Sequence, residues 1–201
     1  MNSERTQHDY SDVKEYERNG EGKHHHRGKS SERFLDKSAI MESLEIRPGQ
    51  TILDAGCGNG YMSKEFFLAV GPVGKIYALD PDEIAIDALR REAEGSTIEP
   101  LVGDVTKETP LRESSCDLVY LSTVFHGFSC EQITGFKGEV RRILKPGGRL
   151  AVVEIVKSDT PFGPPLSMRY SPDALKQAVG LFPLATVFVG EYFYMQLFEN
   201  R

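Results

Sequence analysis

From residue 37 onwards, two kinds of hydrophobic pattern alternate along the chain. Short apolar runs, such as TILDA, KIYALD, CDLVYLS and RLAVVEIV, are separated by longer stretches in which apolar residues recur every three or four positions. The first pattern is typical of buried strands, and the second is typical of helices that pack on a sheet. Strands and helices that alternate in this way predict a parallel sheet with helices on both faces.

The predicted elements follow one another with short connections. Helices are expected over residues 37–44, 60–70, 81–95, 131–145 and 172–181, and strands over residues 50–55, 75–80, 97–103, 116–122 and 149–156. Pro100 indicates an imperfect third strand, because proline cannot donate to a strand ladder. The last apolar stretch, LATVFVGEYFYMQLFEN, predicts two strands joined at Gly190-Glu191, and so short a connection permits only an antiparallel hairpin. The expected fold is therefore α/β, with a seven-stranded, mostly parallel sheet that ends in this hairpin.

Residues 1–36 show neither pattern. They are polar and charged, and we interpret them as an N-terminal extension that is ordered at most in part, followed by one domain over residues 37–201. The extension contains three adjacent histidines, His24, His25 and His26. Adjacent side chains of an extended segment cannot all face one ion, and no neighbouring cysteine or carboxylate completes the spacing of a zinc site. No metal site is predicted, although whether the histidines bind a metal stays open.

Composition narrows the class of protein. A chain of 201 residues is long enough for one full domain, and its net charge of -6 disfavours nucleic acid as a partner. No apolar run approaches the roughly 18 residues that span a bilayer, so no membrane association is expected. The three cysteines are widely spaced and odd in number, which favours a reduced cytoplasmic location over a disulfide framework.

The strongest chemical signal lies where the first strand becomes a helix. The sequence ILDAGCGNGY places Gly56, Gly58 and Gly60 at this corner, which indicates that a ligand approaches the main chain closely. In an open parallel sheet, ligands bind beyond the carboxyl ends of the strands. Asp54 lies at the same corner, where a carboxylate repels a diphosphate and attracts an ammonium or sulfonium group. The expected ligand therefore carries positive charge and no phosphate.

Two further acids follow the next two strands. Asp80 ends the second strand, where a carboxylate can accept hydrogen bonds from both hydroxyls of a ribose. Asp104 follows the third strand, where it can accept from an exocyclic amine while Val105 packs against a purine ring. The three acids together predict a site for a cationic nucleoside.

In their order and spacing, these segments resemble the motifs of the class I S-adenosylmethionine-dependent methyltransferases. ILDAGCGNG is similar to their first motif, YALDPD to the second, VGDV to the third, CDLVYLSTVFH to the fourth, and LKPGGRL to their helix-to-strand turn. The resemblance covers about residues 38–199, and it is greatest to the ubiquinone/menaquinone-biosynthesis subgroup, which includes methyltransferase domain types 11, 25 and 31. It implies an enzyme with a Rossmann-like fold that uses S-adenosylmethionine as cofactor and releases S-adenosylhomocysteine.

The resemblance also implies a role for each matching position. The methionine end of the cofactor would lie against the corner, and the ribose would lie against the end of the second strand. The adenine would lie between the second and third strands, and the carbonyl of the residue that ends the fourth strand would accept from its amino group. The implied cofactor-binding residues are Asp54, Gly56, Cys57, Gly58, Gly60, Tyr61, Met62, Asp80, Pro81, Asp104, Val105 and Ser122.

Candidate catalytic residues lie beyond the cofactor strands. Methyl transfer from a sulfonium is an in-line displacement, and a base is needed only if the acceptor must lose a proton. His126 follows the fourth strand, Glu154 lies in the fifth, and Tyr170 lies in a proline-rich loop. Each also has a structural interpretation: His126 as a packing residue, Glu154 as a buried acid with a structural partner, and Tyr170 as a lid residue.

Two other functions compete with methyl transfer to a small-molecule acceptor. A nicotinamide-dependent oxidoreductase would share the sheet and the ribose-binding acid, but Asp54 and the Gly-x-Gly-x-Gly spacing count against it. A module that binds the cofactor without catalysis is the second alternative, since no catalytic residue is certain. The sequence leaves open the identity of the acceptor atom and the oligomeric state.

Overall fold

The structure, a computed structural model, describes residues 31–201, so most of the predicted N-terminal extension, including its three histidines, lies outside the described residues. Five α-helices follow one another along this part of the chain: α1 (Lys37–Leu44), α2 (Tyr61–Val70), α3 (Glu83–Glu92), α4 (Cys130–Ile143) and α5 (Pro172–Val179). The seven strands are β1 (Thr51–Ala55), β2 (Lys75–Asp80), β3 (Ile98–Val102), β4 (Cys116–Ser122), β5 (Leu144–Ile155), β6 (Phe182–Phe188) and β7 (Phe193–Glu199). No helix within residues 31–201 has both the length and the apolar character needed to cross a bilayer.

All seven strands belong to one sheet, in the order β3-β2-β1-β4-β5-β7-β6. Strands β1 to β5 pair in parallel, whereas β7 is antiparallel to both β5 and β6. The predicted seven-stranded sheet with its terminal hairpin is therefore confirmed. After β3 the chain crosses back over β1 to form β4, so the strand order reverses between β1 and β4. Open sheets bind ligands beyond the carboxyl ends of the strands at such a reversal.

Each face of the sheet is covered by its own hydrophobic cluster. Helices α1, α2 and α3 pack on one face with buried residues such as Phe66, and α4 and α5 pack on the other with residues such as Phe136. Side chains alternate between the faces along a strand, so Ile52 joins the first cluster and Leu53 the second.

Several predicted boundaries are wrong by a few residues, and three of them have a clear structural cause. Helix α3 begins at Glu83 rather than at residue 81, because the Asp82 side chain caps it. Strand β5 begins at Leu144, directly after α4, because Leu144 pairs with Cys116 of β4 before a register shift leads to the pairing of Leu118 with Arg149. The terminal turn runs from residue 189 to 192, wider than the predicted Gly190-Glu191 connection. A Cβ atom on Gly190 would lie 2.4 Å from the Phe34 carbonyl oxygen, because the segment before α1 packs against this turn.

Pro100 lies within β3, opposite Ala78 of β2. Strand β3 is at the edge of the sheet, so the missing N–H of the proline does not interrupt a central ladder. The third strand is short, as the sequence predicts, and the residues after it are placed at the same edge of the sheet as the glycine corner.

Candidate functional site

The glycine corner connects β1 to α2 and is held against the end of β2. The backbone N–H groups of Gly56 and Cys57 both donate to the Leu79 carbonyl, at 2.7 and 3.1 Å, and Gly60 N–H donates to the Cys57 carbonyl at 2.8 Å. These bonds fix the corner before any ligand binds. The helix that follows starts with Tyr61, and its second residue, Met62, is buried in the core.

The three glycines of the corner are required for different reasons. All three have positive φ angles, of 69° at Gly56, 52° at Gly58 and 74° at Gly60. A Cβ atom would lie 2.8 Å from a Val124 methyl group at Gly56 and 2.5 Å from a Leu89 methyl group at Gly60, so these two glycines are needed for packing. Within residues 31–201, no atom other than those of its chain neighbours lies within 4 Å of the position that a Cβ on Gly58 would occupy, so there is open space beside this residue. Gly58 is therefore the glycine at which a ligand can approach the main chain.

Asp54 lies at the end of β1 with its carboxylate buried. The Ser63 hydroxyl of α2 donates to the Asp54 Oδ2 at 2.6 Å. Burial raises the pKa of the Asp54 carboxyl to about 7, the hydrogen bond from Ser63 opposes that shift, and the charge of Asp80 adds to it. The Asp54 carboxylate, which is predicted to attract a cation, is therefore buried where its negative charge raises the free energy unless a cation binds beside it.

Asp80 ends β2 and supports the corner directly. Its Oδ2 accepts from the Gly58 N–H at 2.9 Å, and its Oδ1 accepts from the Asp82 N–H at 2.8 Å. Each carboxylate oxygen has a second lone pair, so ribose hydroxyls can still donate to Asp80. Burial raises the pKa of the nearby Cys57 thiol, and the charges of Asp54 and Asp80 raise it further. The corner therefore disfavours an anion such as a diphosphate.

The residues predicted to hold adenine lie beside this corner. The Asp104 Oδ1 accepts from both the N–H and the hydroxyl of Thr106, at 2.9 and 2.7 Å, which fixes the loop after β3. Val105 is 5% exposed and packs in the cluster on the α4 side, so little of its side chain is available to a purine. Pro81 is exposed at the end of β2. The adenine contacts stay predictions.

Two buried hydroxyls on β4 add to the fit for a polar ligand. Tyr120 pairs with Asp54 across the sheet, and Ser122 lies two residues further on the same face. Apart from each other, neither hydroxyl has a hydrogen-bond partner within residues 31–201. Buried hydroxyls without partners are rare and indicate a water or ligand group that completes them. With the space above Gly58, they make the corner suitable for the amino-acid end of S-adenosylmethionine.

His126 and Glu154 form a hydrogen-bonded pair where β4 and β5 end, next to each other in the sheet. The His126 Nδ1 lies 2.9 Å from the Glu154 Oε2, and the His126 backbone N–H donates to the Glu154 Oε1 at 3.2 Å. The Glu154 side chain is fully buried and that of His126 is 11% exposed. In the tautomer with a proton on Nδ1, that N–H donates a hydrogen bond to the carboxylate, and Nε2 is left as a base. Within the described residues, Nε2 has no partner.

Tyr170, the third predicted catalytic residue, lines an open cavity together with His126. The cavity has a volume of about 510 Å³ and is lined by His126, Gly127, Phe128, Ser129, Gln132, Lys157, Ser167, Met168, Arg169, Tyr170 and Ala174. Burial raises the pKa of the Tyr170 phenol, and the nearby Cys130 and Glu154 raise it further. Tyr170 is therefore a hydrogen-bond donor rather than a base, and its ring packs on Phe125 with centroids 5.1 Å apart.

Arg169 organises the loop that forms one wall of the cavity. Its buried guanidinium donates to the carbonyls of Pro164, Val156, Ser158 and Phe162 and to the Thr160 hydroxyl, at 2.7 to 3.3 Å. This one side chain fixes most of the segment between β5 and α5. Sequence reasoning missed Arg169, although it is the only cation in the stretch TPFGPPLSMRYS.

The segment before α1 covers the same edge of the sheet. The Phe34 ring stacks on Phe162 of the cavity loop with centroids 4.3 Å apart, and the Asp36 N–H donates to the Val189 carbonyl at 2.7 Å. The Ser31 and Thr123 hydroxyls lie 3.4 Å apart, so this segment reaches the end of β4. The part of the predicted extension that the structure describes thus contacts both the cavity loop and the terminal turn.

In the part of the chain that the structure describes, no group of three or more histidine, cysteine or acidic side chains could hold a metal ion. The predicted site residues instead form two neighbouring groups. The glycine corner with Asp54 and Asp80 lies at the ends of β1 and β2. The His126–Glu154 pair and Tyr170 lie at the ends of β4 and β5.

This arrangement defines the chain as a Rossmann-like α/β protein with an acidic glycine corner beside an open cavity. Comparison with known proteins agrees. The family described as the methyltransferase domain matches residues 53–152. A S-adenosylmethionine-dependent methyltransferase of Aquifex aeolicus superposes with a TM-score of 0.77 at 25% identity, over 86% of this chain and 93% of that one.

Curated relatives support the same assignment. An uncharacterized methyltransferase of Synechocystis is 31% identical over 133 residues, which are 64% of this chain and 58% of the relative. The ubiquinone/menaquinone biosynthesis C-methyltransferase UbiE of Burkholderia multivorans is 27% identical over 122 residues, which are 60% of this chain and 49% of the relative. Residues 53–152 thus form a methyltransferase domain, and the comparisons support a class I S-adenosylmethionine-dependent methyltransferase with UbiE-like relatives. The chain spans between 34% and 60% of the length of the first curated relatives it matches.

Proposed function

We propose that this protein transfers a methyl group from S-adenosylmethionine to a small-molecule acceptor that loses a proton. One observation carries the proposal: an acidic glycine corner and a cavity lined by His126, whose ring is held by the buried Glu154, both lie at the carboxyl ends of the strands around the reversal of strand order. When bound, the cofactor supplies a methyl group on a cationic sulfur. The residues of this chain bind it, orient the acceptor and receive the acceptor's proton.

At the corner, charge and space support a cationic cofactor. Asp54 and Asp80 provide negative potential, and the open space above Gly58 allows close approach to the main chain. The Tyr120 and Ser122 hydroxyls are available to polar atoms of the amino-acid end. The corner rejects the diphosphate of a nicotinamide dinucleotide for the same electrostatic reason, which disfavours the oxidoreductase alternative.

In the cavity, His126 is the proposed proton acceptor and Glu154 its positioning residue. Glu154 holds the ring through Nδ1 and favours the imidazolium that forms when Nε2 takes a proton. Because Glu154 also accepts from the His126 backbone N–H, ring and main chain are fixed by the same carboxylate. Tyr170 is proposed to donate a hydrogen bond to the acceptor. A cavity of about 510 Å³ is in the range that small-molecule ligands occupy.

Calorimetry tests the cofactor assignment. S-adenosylhomocysteine and NADH are titrated into the same preparation of the full chain. The proposal requires binding of the first and no binding of the second. Binding of NADH, or no binding of S-adenosylhomocysteine, would overturn it.

Turnover of radiolabelled S-adenosylmethionine with a panel of small acceptors tests catalysis. The variant His126→Gln should keep its affinity for S-adenosylhomocysteine and lose roughly 10²- to 10⁴-fold in kcat, as is usual for a general base. Glu154→Gln should give a smaller loss and a displaced pH profile, because the ring keeps its place but loses the charge behind it. Gln177→Ala, on the exposed side of α5, is the control. Cofactor binding without turnover of any acceptor would favour the non-catalytic binding module.

A further inference from the structure

We infer that the acceptor is a small aromatic acid, bound by its carboxylate and ring, whose hydroxyl group receives the methyl group. This inference rests on the proposed methyltransferase function and adds the chemical class of the second substrate. It is drawn from the charge and the shape of the cavity that contains His126.

The lining of the cavity is cationic although the protein is acidic. The chain has a net charge of -6, yet the cavity lining includes Lys157 and Arg169 and no aspartate or glutamate. Within residues 31–201, neither cation forms an ion pair. The charge of Asp159 acts on Arg169 without contact, and Arg169 donates only to oxygens of its own loop, four carbonyls and one hydroxyl. Lys157 is exposed at the cavity and is available to a ligand. A cavity with such a lining favours an anionic ligand.

The apolar part of the lining is aromatic and well fixed. Phe128 and Tyr170 both line the cavity, and both pack against the buried Phe125 ring, with centroids 5.6 and 5.1 Å away. Met168 lines the same cavity and is 39% exposed. Rigid rings beside a partly exposed thioether provide a surface for a flat aromatic body. A flexible aliphatic acid would use this surface less well.

The His126–Glu154 pair favours the hydroxyl group of such an acid over its carboxylate as the methylated group. A carboxylate needs no base to attack a methyl group, whereas a hydroxyl does. The hydroxyl oxygen of the acceptor forms a bond to the methyl carbon as the carbon–sulfur bond of the donor breaks, and the sulfur keeps that electron pair. The hydroxyl proton passes to the His126 Nε2 and then to solvent. The products are an aryl methyl ether that keeps its carboxylate and neutral S-adenosylhomocysteine.

Binding to the protein saturated with S-adenosylhomocysteine tests the inference. The probes are matched sets of mono- and bicyclic compounds, represented by 4-hydroxybenzoate, its neutral methyl ester and the cationic amine tyramine. The acid should bind about ten-fold more tightly than the ester, and the amine should bind least. The difference in affinity between the acid and the ester should shrink when the salt concentration is raised, because Lys157 is exposed to solvent.

The variant Lys157→Met should weaken binding of the acids by about five-fold and leave the esters unchanged. Lys107→Met, at an exposed lysine outside the cavity, is the matched control and should change neither. Product analysis with S-adenosylmethionine should give the methoxy acid and no methyl ester.

Four results would overturn the inference: esters that bind as tightly as acids, no binding by any acid of the set, an equal loss for acids and esters in Lys157→Met, or methylation at the carboxylate. These results leave the proposed function standing if S-adenosylhomocysteine binds. Absence of that binding would instead overturn the proposed function.

Discussion

The Asp54 carboxylate should destabilise the folded protein at neutral and alkaline pH. Its pKa in the folded state is about 7, compared with 3.8 for an unperturbed group, mainly because burial opposes the charged form. Each unit of pKa difference between the folded and unfolded states is worth about 1.4 kcal/mol, so ionised Asp54 costs the folded state on the order of 4 kcal/mol. This is a large part of the stability of an ordinary domain.

The sign of the effect follows from proton binding. Between about pH 4 and pH 7 the folded state holds the Asp54 proton more tightly than the unfolded state does. The contribution of this group to the free energy of unfolding therefore falls as the pH rises through that window, and the full cost is present above pH 7. Asn at position 54 has nearly the same shape, can still accept from Ser63 and has no charge to bury.

Chemical denaturation of the wild type and of Asp54→Asn at pH 5 and pH 8 measures the effect. The variant should be more stable than the wild type by about 2 kcal/mol at pH 5, where the unfolded state already ionises at this position, and by on the order of 4 kcal/mol at pH 8. Asp173→Asn, whose side chain is 87% exposed in the wild type, is the control for a general charge effect. A variant that is less stable than the wild type at pH 8 would refute the reasoning. The same variant should bind S-adenosylmethionine more weakly, because the cation loses its partner.

Two further predictions follow from the corner and the cavity loop. Gly58→Ala should cost about 1–2 kcal/mol of stability, because the residue has a positive φ, and should sharply weaken S-adenosylhomocysteine binding in calorimetry. Gly60→Ala should lower the melting temperature more, because its Cβ would clash with Leu89. Equal binding defects in folded samples of the two variants would contradict this distinction. Arg169→Met should raise KM for the acceptor and increase proteolytic cleavage between residues 157 and 168, because the loop loses its hydrogen bonds, while cofactor affinity stays unchanged. A loop that is not cleaved, together with a normal KM, would show that Arg169 does not organise the loop.

The sequence was sufficient to predict elements whose cause is local. The strand TILDA, the glycine corner and the terminal hairpin each carry their own pattern, and the structure confirms the sheet that they imply. The pairing of His126 with Glu154 was not predictable, because it joins residues 28 positions apart whose meeting depends on how β4 and β5 pair. The role of Arg169 was missed for a related reason: its partners are mostly backbone carbonyls, which have no sequence signature. The contact of the terminal turn with Phe34 also joins residues that are far apart along the chain.

The opposite charges of the two halves of the site fit the proposed reaction. The corner at β1 and β2 contains Asp54 and Asp80, and the cavity at β4 and β5 contains Lys157 and Arg169. A cationic donor and an anionic acceptor are each attracted to one half and repelled from the other, so charge alone selects the productive arrangement. Transfer of the methyl group removes the charge on sulfur but leaves the ammonium group of the amino-acid end, so Asp54 keeps one cationic partner in the product complex. The loss of the sulfonium charge alone should make the acidic corner bind S-adenosylhomocysteine less tightly than the donor, which favours product release.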